Sequence, residues 1–138
     1  MLQKLNPPTL PAPPMNLIAQ VVIAPAGRLA FLSGQVALDA EGRLVGAGDH
    51  AAQARQCFAN LKLALEALGA GPGDIAQMKI HVVDHRPERI QQVFIEGGQA
   101  VFGAAWPLCA STYIGVAALG LPEWLVEIDA VVALPEAV

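Results

Sequence analysis

From Gly97 to Pro122 the chain carries no Asp, Glu, Lys, Arg or His, and a run of that length has few physical homes. It is long enough to cross a bilayer as a helix of ~20 residues. Its interior argues otherwise. Gln99, Pro107, Ser111, Thr112, Gly115 and Gly120 interrupt it, and the pattern breaks at Trp106-Pro107. Proline and polar β-branched residues fit a helix end, a loop and then a buried strand, so no membrane span is expected. The whole chain shares the bias: 54% of its 138 residues are hydrophobic and 14% charged, against about 25% charged in ordinary soluble domains. One domain of this size has one core and a large surface. The apolar excess therefore points to burial against further copies of the chain.

Charge narrows the partners. The net charge is −4 and the pI about 5.2, with no cluster of Lys or Arg, which disfavours nucleic acid because phosphate binding needs basic groups. Met1 to Pro14 holds one Lys and five prolines but no apolar core of a secretory signal; residues 1–15 read as an extended, loose, Pro-rich arm. Residues 16–138 read as a single domain. Cys57 and Cys109 stand far apart without a C-x-x-C pattern, as expected of reduced thiols in the cytoplasm.

Periodicity orders the rest. Ile18 to Ile23 and Arg28 to Ser33 read as two strands joined by the turn Pro25-Ala26-Gly27, a hairpin. Ser33-Gly34-Gln35 interrupts the second, and Val36 to Leu38 reads as a short continuation. A helix is predicted from His50 to Leu68, capped by Asp49 and stopped by Gly69. Ala54, Phe58, Leu61, Leu65 and Leu68 form its apolar face, with Gln53, Gln56, Asn60 and Lys62 opposite. Ile75 to Val83 is a β-branched strand. A second helix starts near Pro87, with Ile90, Val93, Phe94, Gly97 and Val101 inward, and Gly97-Gly98 weakening it. Strands at Ser111 to Val116 and Leu125 to Ala133 close the chain. The order β-β-(β)-α-β-α-β-β is an α+β pattern with both helices on one face of a sheet.

Three segments carry a family resemblance: Ser33-Gly34-Gln35 after the second strand, the helix-and-strand run from Ala51 to Asp84, and the closing strand LVEIDAVVAL from Leu125 to Leu134. In this order and spacing they resemble the RidA (YjgF) family. The resemblance implies a chorismate-mutase-like α+β fold, a mixed sheet with two helices on one face. It also implies a homotrimer whose sheets form a central barrel and whose small-molecule clefts lie between subunits. Deaminating members hydrolyse reactive enamines and imines without metal or organic cofactor: an oriented water and a proton relay suffice. Their catalytic glutamate falls on Glu127, and their S-G turn on Ser33 and Gly34. Their arginine, which grips a substrate carboxylate by two parallel hydrogen bonds, is replaced by Ser111, with Thr112 and Tyr113 following. Ile18 stands where an aromatic hydroxyl is usual. Loss of such a charge-assisted pair costs about 2–5 kcal/mol, so an altered substrate is expected. The alternative is a trimer of the same fold that binds a small molecule without catalysis.

Each candidate has a plainer role beside the functional one. Glu127 shares a strand face with Leu125, Asp129 and Val131, and an acid there reaches either solvent or a cleft. Ser111 and Thr112 offer hydroxyls to a ligand or simply suit a strand. Gly34 admits a ligand or merely a bend. His81 and His85, about 13 Å apart by strand rise, lack a third metal ligand. Cys109 has no paired histidine and reads as a small buried thiol. Trp106, Tyr113 and Trp124 line a pocket or pack a core.

Overall fold

A computed structural model describes residues 1–135; the last three residues of the 16–138 unit lie outside the described residues. Strand β1 (Gln3–Leu5) pairs antiparallel with β2 (Val21–Ile23) in a small ribbon. The main sheet contains β3 (Leu29–Gln35), β4 (Ile75–Val83), β5 (Ala110–Val116) and β6 (Val126–Ala133), in the order β3-β6-β4-β5. Its pairs are antiparallel except β4–β5, which is parallel. A parallel neighbour requires a crossover, and the second helical segment provides it.

The helices lie on one face. α1 (His50–Ala67) begins where the Asp49 carboxylate accepts from the Ala52 N–H at 3.0 Å and stops before Gly69, whose φ is 66°. α2 (Pro87–Ile90) continues through a wide π turn (Gln91–Gln99) into α3 (Ala100–Phe102). Alternation along β4 and β6 supplies the core: Met78, Ile80, Val82, Val126, Ile128 and Val132 are fully buried against Phe58, Leu61 and Leu65 of α1. Phe58, Phe94, Phe102 and Trp106 meet edge to face at centroid distances from 5.4 to 6.4 Å. The charge-free run is thus the end of the π turn, α3, a turn, β5 and the loop after it. Among the described residues, no helix is long and apolar enough to cross a membrane.

The α+β order holds, but several local expectations do not. The hairpin of β2 with β3 is absent: β2 pairs with the arm, and β3 with β6. Backbone donors in a strand must find acceptors, and the arm supplies them locally, held by bonds from the Gln20 N–H to Asn6 Oδ1 and from Gln20 Nε2 to the Pro11 carbonyl. The arm is thereby paired with β2 in the folded chain. Ser33-Gly34-Gln35 stays within β3 as a bulge instead of ending it. Val36 to Leu38 forms no strand; Leu38 only bridges Leu44. Gln53 is not on the outer face of α1. It is fully buried, donating to the carbonyls of Gly46 and Glu123 and accepting from the Leu125 N–H at 2.9 Å; a buried amide persists because its hydrogen bonds are made. Leu68 falls past the helix end and is 36% exposed. Gly97 and Gly98 are close-approach positions: a Cβ on Gly97 would lie 2.6 Å from Ala54 Cβ, and one on Gly98 would overlap the Trp106 ring.

Candidate functional site

The face of the sheet away from the helices is uncovered. Leu29 and Phe31 stand on it, 47% and 74% exposed. Alternation of β6 places Glu127, Asp129 and Val131 there, half-buried, while Val126, Ile128, Ala130 and Val132 face the helices. Across the β4–β6 ladder Glu127 opposes His81, and Asp129 opposes Lys79. His81 Nδ1 lies 3.2 Å from the Glu127 carbonyl oxygen and 4.0 Å from Asp129 Oδ2.

On the other side of β6, the β3 ladder slips by one residue between Leu32 and Gln35. Ser33 and Gly34 occupy this bulge, which locally bends a strand. The Glu127 side chain lies over Gly34, where a Cβ would sit 2.6 Å from Glu127 Oε1. Only glycine leaves that room. Among the described residues nothing donates a hydrogen bond to this carboxylate, which leaves it available to a water. Beneath it, on the helix face, the Cys57 thiol bonds the Val126 carbonyl at 3.4 Å. Burial, with the Glu127 charge added, pushes that thiol up to about 12, so it is inert.

A second group gathers at the start of β5. The Ala19 N–H donates to the Cys109 carbonyl at 2.9 Å, and Trp106 Nε1 donates to the Leu17 carbonyl at 2.9 Å. Ile18 is thereby held beside Cys109. Ser111 Oγ donates to the same Cys109 carbonyl at 3.4 Å and lies 3.3 Å from Cys109 Sγ. Tyr113 stacks on Phe94 at 5.8 Å, its hydroxyl 3.0 Å from His85 Nδ1. Thr112 is exposed and in register with Lys79.

Two groups therefore form, Ser33–Gly34–Glu127 and Ile18–Ser111–Tyr113, and one copy does not join them. β4 separates β6 from β5, and Met78 is the register partner of both Ser111 and Ala130. Glu127 is three residues from Ala130, and alternation sets it on the opposite face. His81 and His85 also part: β4 ends at Val83, and Asp84, at φ 53°, turns His85 toward Tyr113. Among the described residues no three His, Cys, Asp or Glu side chains gather as metal ligands would. Sequence reading named Tyr113 and His85 separately and missed that they touch. The parallel β4–β5 register that brings them together leaves no mark on the local pattern.

A family model described as endoribonuclease L-PSP matches residues 11–134. The chain belongs to the Rid/YjgF family. Among solved structures it is similar to a protein of unknown function of the conserved Rid family, YyfB from Yersinia pestis. Identity is 38%, the match covers 96% of this chain and 98% of that one, and the TM-score is 0.87. The YjgF gene product from E. coli matches at 26% identity over 86% and 89% of the two chains, with a TM-score of 0.65. Rv2704 from Mycobacterium tuberculosis, a member of the YjgF/YER057c/UK114 family, matches at 29% over 83% and 85%, with a TM-score of 0.58. No curated protein matches in sequence. The mixed sheet with helices on one face is the chorismate-mutase-like fold of these Rid proteins.

Proposed function

We propose that this Rid protein hydrolyses a reactive imine or enamine in a cleft between subunits of a homotrimer. The observation that carries the reading is the Glu127 carboxylate lying over Gly34 at the β3 bulge, accepting no hydrogen bond from the described residues. Water adds to the C=N carbon, the C–N bond then breaks, and the products are a carbonyl compound and ammonia. Glu127 orients that water and takes its proton, which then passes to the departing nitrogen. The exposed Leu29 and Phe31 on the bare sheet face support assembly, because large apolar side chains left exposed beside polar ones are what a protein contact covers. In the trimer the β5 edge of one copy, with Ser111 and Thr112, faces the Glu127 side of the next.

No Lys or Arg stands on β5, and Ser111 already contacts the Cys109 carbonyl and thiol, so this strand offers a carboxylated imine no charged clamp. That same observation favours the alternative, a trimer that binds a small molecule without catalysis. RNA cleavage, which the family description names, sits poorly with a net charge of −4.

Ammonia release from uncharged and carboxylated imines, measured on wild type, Glu127→Gln and Gly34→Ala, separates the readings. Turnover of an uncharged imine that falls by about 10²–10⁴ in Glu127→Gln supports the hydrolase, and Gly34→Ala should also lose rate by displacing the carboxylate. Full activity in Glu127→Gln would remove Glu127 from the mechanism. Absence of turnover on every imine, with ligand still bound, leaves the binding protein.

A further inference from the structure

Alternation along β5 sets Tyr113 on the same side as Ser111. Its ring is fixed from two directions. Phe94 stacks against it, and the hydroxyl meets His85 Nδ1 at 3.0 Å. His85 reaches this position because Asp84 turns the chain, and Gly115 makes room for it: a Cβ there would lie 3.2 Å from His85 Cβ. Among the described residues His85 Nε2 makes no hydrogen bond, and His85 is exposed. The sheet ends at β5, so both groups border the edge that the proposed cleft occupies.

Both nearby cations are engaged at Asp84: Arg86 Nη2 lies 3.5 Å from Asp84 Oδ2, and Arg89 is held more closely. Arg89 donates through Nε to the Asp84 carbonyl, through Nη2 to Asp84 Oδ2 and through Nη1 to Gln92 Oε1, at 3.0 to 3.2 Å. What remains for a ligand is a phenol and an imidazole, which between them both donate and accept. Burial pushes the Tyr113 hydroxyl up to about 12, so it keeps its proton.

We propose that Tyr113 and His85 determine ligand choice by taking an uncharged carboxamide on the carbon next to the reacting C=N. A carboxamide has a carbonyl acceptor and an N–H donor and so answers both members of the pair; a carboxylate has acceptors alone. The inference rests on the reading that the β5 edge lines the ligand cleft.

The test uses the stable carbonyl analogues pyruvamide and pyruvate, titrated calorimetrically into the assembled protein. Wild type should bind pyruvamide about tenfold more tightly than pyruvate, and Tyr113→Phe and His85→Ala should each cut that advantage about fivefold. If Tyr113→Phe fails to fold, His85→Ala, which changes an exposed residue, still decides. Equal or tighter pyruvate binding, no binding of either analogue, or a preference untouched in both variants would overturn the assignment. Imine turnover in parallel separates the two ideas. Amide preference without turnover removes the hydrolase and keeps this inference; turnover without amide preference does the reverse.

Discussion

Asp84 holds a backbone conformation that few side chains tolerate, and its charge helps hold it there. Its φ of 53° lies in the left-handed region, open to Asp and Asn at modest cost. The Arg89 guanidinium, bonded to it at 3.0 Å, and then the Arg86 charge hold its carboxyl below the ordinary 3.8. A depressed carboxyl binds its proton less readily in the folded state. Its contribution is therefore present above pH 3.8 and is lost as pH falls through the lower folded value. Asp84→Asn keeps the backbone preference and removes the charge. We expect the variant to be less stable at neutral pH, with the difference closing in acid, as read from urea midpoints across pH. A gap that persists unchanged in acid would mean the two arginines do not act through charge.

At the scale of elements, the glycines of the π turn show propensity and packing in opposition. Alanine at Gly98 would gain about 1 kcal/mol in helix propensity. Its Cβ would overlap the Trp106 ring, which cannot retreat, since Nε1 is bonded to Leu17 and the ring is packed against Phe58, Phe94 and Phe102. Overpacking of a filled core costs about 1–3 kcal/mol, at the upper end for so rigid a neighbour. Gly98→Ala should thus lose about 2 kcal/mol net in denaturant unfolding, and a stabilised variant would refute the account. The same balance explains what could be read in advance. Apolar periodicity and the Asp49 and Gly69 caps marked α1 to within a residue, and β-branched runs marked β4 and β6. The pairing of β2 with the arm, the burial of Gln53 and the Tyr113–His85 contact depend on partners 14 to 72 residues away, beyond the reach of local pattern. Glu127 and Ser33–Gly34 were named from family resemblance, but that Gly34 exists to make room for Glu127 needs the register of the bulge.

For the whole molecule, the uncovered sheet face governs behaviour. Phe31 projects from an edge strand with three-quarters of its surface exposed, beside Val131, its register partner. A charge placed there would oppose burial against another copy while leaving the helix-side core untouched. On the trimer and hydrolase proposed above, Phe31→Asp should run as a folded monomer in light scattering and lose ligand turnover with the cleft. A variant that still assembles as wild type would place the contact surface elsewhere.

The β1–β2 ribbon leads to a different expectation. It has three residues per strand, is almost wholly exposed, and shares no strand pairing with the four-stranded sheet. Two short strands without a buried face cannot hold themselves together, so this corner opens without help from the rest. Amide protons of Gln3–Leu5 should therefore trade with deuterium through local fraying, while those at the centre of β4 wait for the whole chain to unfold.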